Sequence, residues 1–200
     1  PPPPTLYLSS AASDVYKRQV QKFVTNQLLT NQHIELSSPE QAVAVPLAKE
    51  LFEFPFVKEV FLSDNYVSIQ KTGDLDWFEI NNTLRDFLKE YLQSDRRVVA
   101  ENSVPTSSSD GKRKTEYTPT NDDVSKQIIG VLEEYIKPAV AGDGGNIQFL
   151  SYVPDTKEVN VLLQGACNGC PSSTITLKNG IESTLKQLLP GKVEIVNAIN

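Results

Sequence analysis

The stretch LLQGACNGCPSSTITLK, residues 162 to 178, holds both cysteines of a 200-residue chain and governs how the sequence around it is read. Its character changes twice. Leu162 and Leu163 close a strand-like run, small residues then carry Cys167 and Cys170 with two residues between them, and Pro171 opens a run with helical spacing. Proline suits a first helical position because its missing N–H has no partner to lose there. Downstream, Leu177, Ile181, Leu185, Leu188 and Leu189 outline the apolar face of a helix that Pro190 and Gly191 close, and KVEIV (192–196) supplies a short strand. Upstream, NIQFLSYV (146–153) and EVNVLLQ (158–164) alternate on either side of Pro154 and Asp155, which predicts a hairpin with Val159, Val161 and Leu163 on one face. GDGG (142–145) turns the chain into that hairpin, since glycine tolerates positive φ. Before it, Thr120 and Asp123 form a capping-box pattern with the shorter acid. Val124, Ile128, Val131, Leu132 and Tyr135 then follow a helical period that Pro138 is expected to end. Residues 120–200 therefore read as one unit with the order helix, strand, strand, helix, strand.

Farther out the composition shifts. Residues 95–119 include SVPTSSSDGKRKTEYTP, which is rich in Ser, Thr and Pro and nearly free of aliphatic side chains, so it cannot bury enough surface to order itself and reads as a flexible linker. Within it Lys112, Arg113 and Lys114 read as a solvated charge run. Residues 21–94 read as a second small α+β unit. QKFVTNQLL begins it as a strand, and VPLAKELFEF forms a short helix with Pro46 in its first turn. FVKEVFLSDNYVSIQKTG gives two strands joined at Ser63, Asp64 and Asn65. A helix follows Gly73, with Asp76 as N-cap and Trp77, Ile80, Leu84, Phe87, Leu88 and Tyr91 on one face, so Trp77 is assigned to the core rather than to a ligand. Residues 1–20 open with four prolines, lack the apolar core of an export signal and join the rest abruptly. They read as a disordered or non-native leader. The expected fold class is α+β, with two small domains joined by a disordered linker.

Charge and composition narrow the function. The net charge is −6, and the two units carry 11 acids against 6 bases (residues 21–94) and 9 against 6 (residues 121–200). Neither offers the basic surface that a phosphate backbone selects, so no nucleic-acid partner is expected. No apolar run approaches the roughly 18 residues of a membrane span, so no membrane partner is expected either. Two cysteines in one short motif do not make a secreted disulfide framework, and a reducing compartment fits better.

Small neighbours (Gly165, Ala166, Asn168, Gly169) leave room for a bulky inorganic group beside the two thiols, and the helix start at Cys170 and Pro171 favours the thiolate there. Three chemistries compete: two buried small hydrophobes, a dithiol–disulfide couple, or half of a metal site. A thioredoxin-like redox domain places its motif after the strand of a βαβ unit, whereas here a hairpin precedes it, and no aromatic stands before the first cysteine. Zinc and the common iron–sulfur clusters each take about four protein ligands. The chain offers Cys167 and Cys170, and its one histidine, His33, lies in the other unit. The same loop of a second copy would supply the missing pair on a two-fold axis, in an exposed and easily dismantled site. Ligand count alone does not separate zinc from iron–sulfur.

DGGNIQF (143–149) followed by LLQGACNGCPSSTITLKNGIESTLKQLLPG (162–191) closely resembles the C-terminal domain of the NifU-like (Nfu) iron–sulfur cluster carriers, over about residues 122–199. KFV, PLAKELFEFPFVKEVFLSDNYVSIQK and the Trp77 helix resemble the Nfu N-terminal domain. DVYKRQVQ stands where that family carries an Asn-Pro-Asn stretch, and Asn146 stands at a position often acidic. The resemblance implies a non-enzymatic carrier, a homodimer that holds a 4Fe-4S cluster between Cys167 and Cys170 of two chains. It would receive the cluster from assembly machinery and pass it to apo iron–sulfur client proteins. It further implies backbone access to the cluster at Gly165, Asn168 and Gly169, a helix start fixed by Pro171, capping or sulfide contacts from Ser172 and Ser173, and an N-terminal recognition module. The cytoplasm is the expected compartment, with the mitochondrial matrix as the alternative.

Overall fold

Alternating apolar residues on both sides of a two-residue turn at Asp64 and Asn65 give the first unit its central hairpin, β4 (Val57–Ser63) and β5 (Tyr66–Lys71). The computed structural model describes residues 6–8, 19–73, 75–94, 96–100, 122–167 and 171–199, and the chain divides into two compact units, Pro1–Ser109 and Asp110–Asn200. In the first unit β1 (Leu6–Leu8), β2 (Val20–Thr25) and β3 (Ile34–Leu36) join the hairpin in a sheet of order β1-β2-β5-β4-β3, every described pairing antiparallel. A 3-10 turn (Gln41–Ala44), α1 (Pro46–Leu51) and α2 (Trp77–Gln93) carry the helical part of the core. Phe23, Val60, Leu62, Val67 and Ile69 from the strands pack with Leu47, Leu51, Leu84, Leu88 and Tyr91 from the helices. Full burial of each aliphatic side chain is worth about 2 kcal/mol. Asp76 caps α2 as expected, its Oδ1 accepting from the Phe78 amide at 3.0 Å, and Trp77 is half-buried against the core.

Three features of this unit depart from the sequence reading. Leu6–Leu8, inside the stretch read as leader, pairs with β2. β3 and the 3-10 turn are too short to show a period. Residues 96–100, read as the start of the linker, are fastened to the unit: Val98 and Val99 pack on its core, the Ala100 amide donates to the Ala44 carbonyl at 2.9 Å, and Arg96 reaches Glu50 with both carboxylate oxygens at 2.9 and 3.0 Å. Two adjacent valines gain enough burial to hold the chain there. Linker residues 101–119 lie outside the described residues.

The second unit begins with one long helical stretch, α3 (Asp123–Val131), a π-helical segment (Leu132–Ile136) and α4 (Lys137–Gly142). Thr120 lies outside the described residues, and the N-cap is Asp122, which makes no side-chain capping bond. Pro138 does not end the helix. Its ring would collide with the carbonyl four residues back in a regular α-helix, and the wider π turn before it removes that conflict while Pro138 takes an early position of α4. The same widening changes which residues face inward. Ile128, Leu132, Ile136 and Val140, spaced by four, are all buried, whereas Tyr135, read as core, is 53% exposed.

Asp143 and Gly144, the latter at φ 86°, turn the chain into β6 (Gly145–Val153), which pairs antiparallel with β7 (Glu158–Gly165). A bulge between Phe149 and Ser151 reverses the inward parity, so Ile147 and Phe149 are followed into the core by Tyr152 while Val153 is left outside. The Tyr152 hydroxyl donates to the Lys192 carbonyl at 2.6 Å. Val159, Val161 and Leu163 share the core face, as their alternation predicts. α5 (Pro171–Leu188) contributes Ile181 and Leu185, with Leu189 just beyond it, while Leu188 is turned outward at 41% exposure. β8 (Ile195–Ile199) starts three residues later than KVEIV suggests and lies parallel to β7, giving the order β6-β7-β8. Both units are mixed helix and strand, in keeping with the α+β expectation.

Candidate metal centre

Beyond Gly165 the chain leaves β7, and Cys167 follows in the turn that leads toward α5. Cys170, Asn168 and Gly169 lie outside the described residues, as do the side chains of Pro171, Ser172 and Ser173. Of the two predicted ligands, the structure therefore positions Cys167. It is not exposed, as a readily dismantled site requires, but only 7% accessible, and it packs with Leu163, Val140 and Ile181 in the core cluster of the second unit.

The reason lies across the hairpin. Gly145 faces Cys167 so closely that a methyl group placed on Gly145 would stand 2.5 Å from Sγ, 3.2 Å from Cβ and 2.9 Å from the Gln164 carbonyl oxygen. Only a residue without a side chain admits the thiol here. Beside it, Asn146 and Gln164 face each other in register, and the Asn146 amide donates to Gln164 Oε1 at 3.0 Å, so both buried amides are paired. Two further bonds hold the turn. The Ala166 amide donates to the Gly144 carbonyl at 3.3 Å, and Thr174 Oγ1 in the first turns of α5 donates to the Cys167 carbonyl at 3.1 Å.

Burial sets the protonation state. The Cys167 thiol is pushed up to about 12, first by removal from water and then by the Asp143 carboxylate. The sequence reading sets the thiolate-favouring helix start at Cys170, which lies outside the described residues; at Cys167 removal from water acts in the other direction. His33 is exposed, with Nδ1 2.7 Å from Ser63 Oγ in the first unit. Among the described residues no three His, Cys, Asp or Glu side chains gather as a metal site.

The topological reasoning against redox chemistry also changes. Because β8 is parallel to β7 and α5 connects them, the cysteine loop does follow the first strand of a β-α-β unit. The order of elements leaves both chemistries open.

Sequence reasoning missed Gly145, Asp143 and Thr174 as neighbours of the thiol. GDGG signals a turn, but nothing in the letters says that its last glycine is needed for contact rather than for φ.

The family profile described as a NifU-like domain matches residues 128–196, and the one described as the scaffold protein Nfu/NifU N terminal matches residues 17–95. The chain is 31% identical over 144 residues to NifU-like protein 4, mitochondrial, of Arabidopsis thaliana, covering 72% of this chain and 49% of that protein. It is 29% identical over 189 residues to the human NFU1 iron-sulfur cluster scaffold homolog, mitochondrial, covering 94% of this chain and 70% of that protein. A solution NMR structure of a NifU-like protein from Saccharomyces cerevisiae aligns at 19% identity with a TM-score of 0.38, covering 43% of this chain and 79% of that one. The chain spans 49% to 63% of the length of five of the curated relatives it matches.

Proposed function

The chain belongs to the NifU-like (Nfu) family, and from that membership we propose that it is an iron–sulfur cluster scaffold whose cargo is a 4Fe-4S cluster held by Cys167 and Cys170 of two chains. The observation that carries this reading is Cys167 itself. It is one of two cysteines in the sequence, it stands where β7 gives way to the loop before α5, and the sole histidine is in the other unit. One chain thus supplies half of a four-ligand shell, and a second copy completes it. Relatives named as iron–sulfur cluster scaffolds support the cargo, and the assembly machinery and apo client proteins are the partners this role requires. The role is carriage, not turnover. Several relatives are named as mitochondrial, which favours that compartment over the cytoplasm.

Ligation asks definite things of this chain's residues. Cys167 surrenders a proton to bind metal, so uptake releases acid and strengthens as pH rises. The backbone at Gly165, Asn168 and Gly169 would face the guest, since none of the three carries a large side chain. Thiol–disulfide exchange has one observation on its side, the β-α-β setting. The raised pKa of the Cys167 thiol opposes a nucleophilic thiolate and a metal-bound one alike, so the family membership, not the thiol's acidity, favours the cluster.

Anaerobic reconstitution with iron and sulfide tests the reading. A brown dimer with about two irons per chain is expected, and Cys170→Ala is expected to abolish it while leaving the circular dichroism unchanged. A colourless zinc-bound dimer, or a monomer that reduces insulin disulfides, would overturn it.

A further inference from the structure

Cys167 is buried rather than presented at the surface, where a ligand shared between two chains is reached, and identifiable contacts hold it there. Its Sγ and Cβ both face Gly145, where not even a methyl group fits, so no guest reaches the sulfur from that side. Turning the side chain about χ1 would swing Sγ but leave Cβ packed. The backbone that would have to rise to bring Cβ out as well is tied twice, by Thr174 Oγ1 to the Cys167 carbonyl at 3.1 Å and by the Ala166 amide to the Gly144 carbonyl at 3.3 Å. One tie runs to α5 and the other to the turn before β6.

We propose that Thr174 and Gly145 are positioning residues that keep Cys167 in an inward seat while the chain carries no cluster, and that loading lifts the Ala166–Cys167 turn out of it. The inference rests on the scaffold reading above. Its consequence is a competition within each chain. The inward seat protects a ligand thiol from oxidants and stray electrophiles, and it lowers apparent cluster affinity by the fraction of time the thiol is seated. Thr174 sets that fraction through one hydrogen bond, and Gly145 makes the seat possible.

The test uses the full-length, metal-free chain under nitrogen, labelled with N-ethylmaleimide and read at Cys167 by fragment mass spectrometry. Thr174→Val is expected to be labelled about fivefold faster than the wild type, the factor that one net hydrogen bond supplies, and Thr174→Ser to stay within about twofold of it. In anaerobic loading with iron and sulfide, Thr174→Val is expected to reach the wild-type iron content sooner. Labelling of Thr174→Val at the wild-type rate, or slower loading, overturns the proposal. Gly145→Ala displaces the sulfur and is expected to be labelled faster still; a folded Gly145→Ala with Cys167 equally protected also overturns it. Should that variant not fold, because its methyl also meets the Gln164 carbonyl, the Thr174 pair decides. A wild type that takes up no iron sinks the scaffold reading, whereas labelling reads the seat without any cluster present.

Discussion

Both units back a β-sheet with helices, but they differ in what they bury. The first packs Phe23, Leu84, Leu88 and Tyr91 with half-buried Phe54, Phe87 and Trp77, and it contains no thiol. The second packs mainly aliphatic side chains around a sheet of three strands, and at one end of that sheet it buries the group proposed to carry its chemistry, Cys167. Among the described residues of the first unit the large buried side chains hold the fold, Tyr91 also by donating its hydroxyl to the Arg97 carbonyl at 2.7 Å. In the second, packing and the proposed chemistry meet at one residue, so a core change that is merely structural in the first unit is expected to be functional in the second.

The strongest way to break that contrast is to remove the thiol. Cys167→Ala is expected to lose all cluster loading, measured as iron and sulfide content, while retaining its fold, because a buried cysteine packs as a small hydrophobe. Next come matched core truncations. Leu84→Ala in the first unit and Leu163→Ala in the second are each expected to cost about 3 kcal/mol in denaturant unfolding. Only Leu163→Ala, four residues from Cys167, is expected to lower cluster content; equal losses from both would erase the distinction.

Alkaline pH sharpens it further. The unfolded chain gives up the Cys167 proton near the ordinary 9.0, whereas the folded chain holds it to about 12. This contribution is complete below pH 9 and falls as pH rises toward 12, by about 1.4 kcal/mol per pH unit. Cys167→Ala should remove that fall, so the difference between the two stability–pH curves isolates it. A smaller effect separates the helix starts. Asp76→Ala is expected to cost about 1 kcal/mol, since Asp76 caps α2. Asp122→Ala is expected to change stability by less than about 0.5 kcal/mol, because Asp122 makes no side-chain capping bond and its buried Oδ1 has no partner among the described residues. Thermal unfolding of the two variants distinguishes them.

The periodic parts of the molecule were legible in the sequence, and the reasons are local. Alternation placed Val159, Val161 and Leu163, helical spacing placed Ile80, Leu84 and Leu88, and Asp76 announced the start of α2. What escaped depends on departures from period or on distant contact. A bulge reversed the parity that brings in Tyr152, and a π turn carried the helix through Pro138 and exchanged Tyr135 for Ile136. Each adds residues to a turn or strand without a signature in the letters. At the candidate site, the CxxC spacing named the thiols. The seat of Cys167 depends on Gly145, twenty-two positions away, and only the folded hairpin brings the two together.

The parallel pairing of β7 with β8 also bears on the birth of the protein. A parallel pair cannot be closed by a tight turn, so β7 finds its second neighbour only after the ribosome has delivered the whole of α5 and then Ile195–Ile199. Until then the nascent chain displays one flank of the strand that leads into the cysteines, and contacts of such long sequence separation form late. The sheet beside the cysteine loop is therefore completed only when β8 docks.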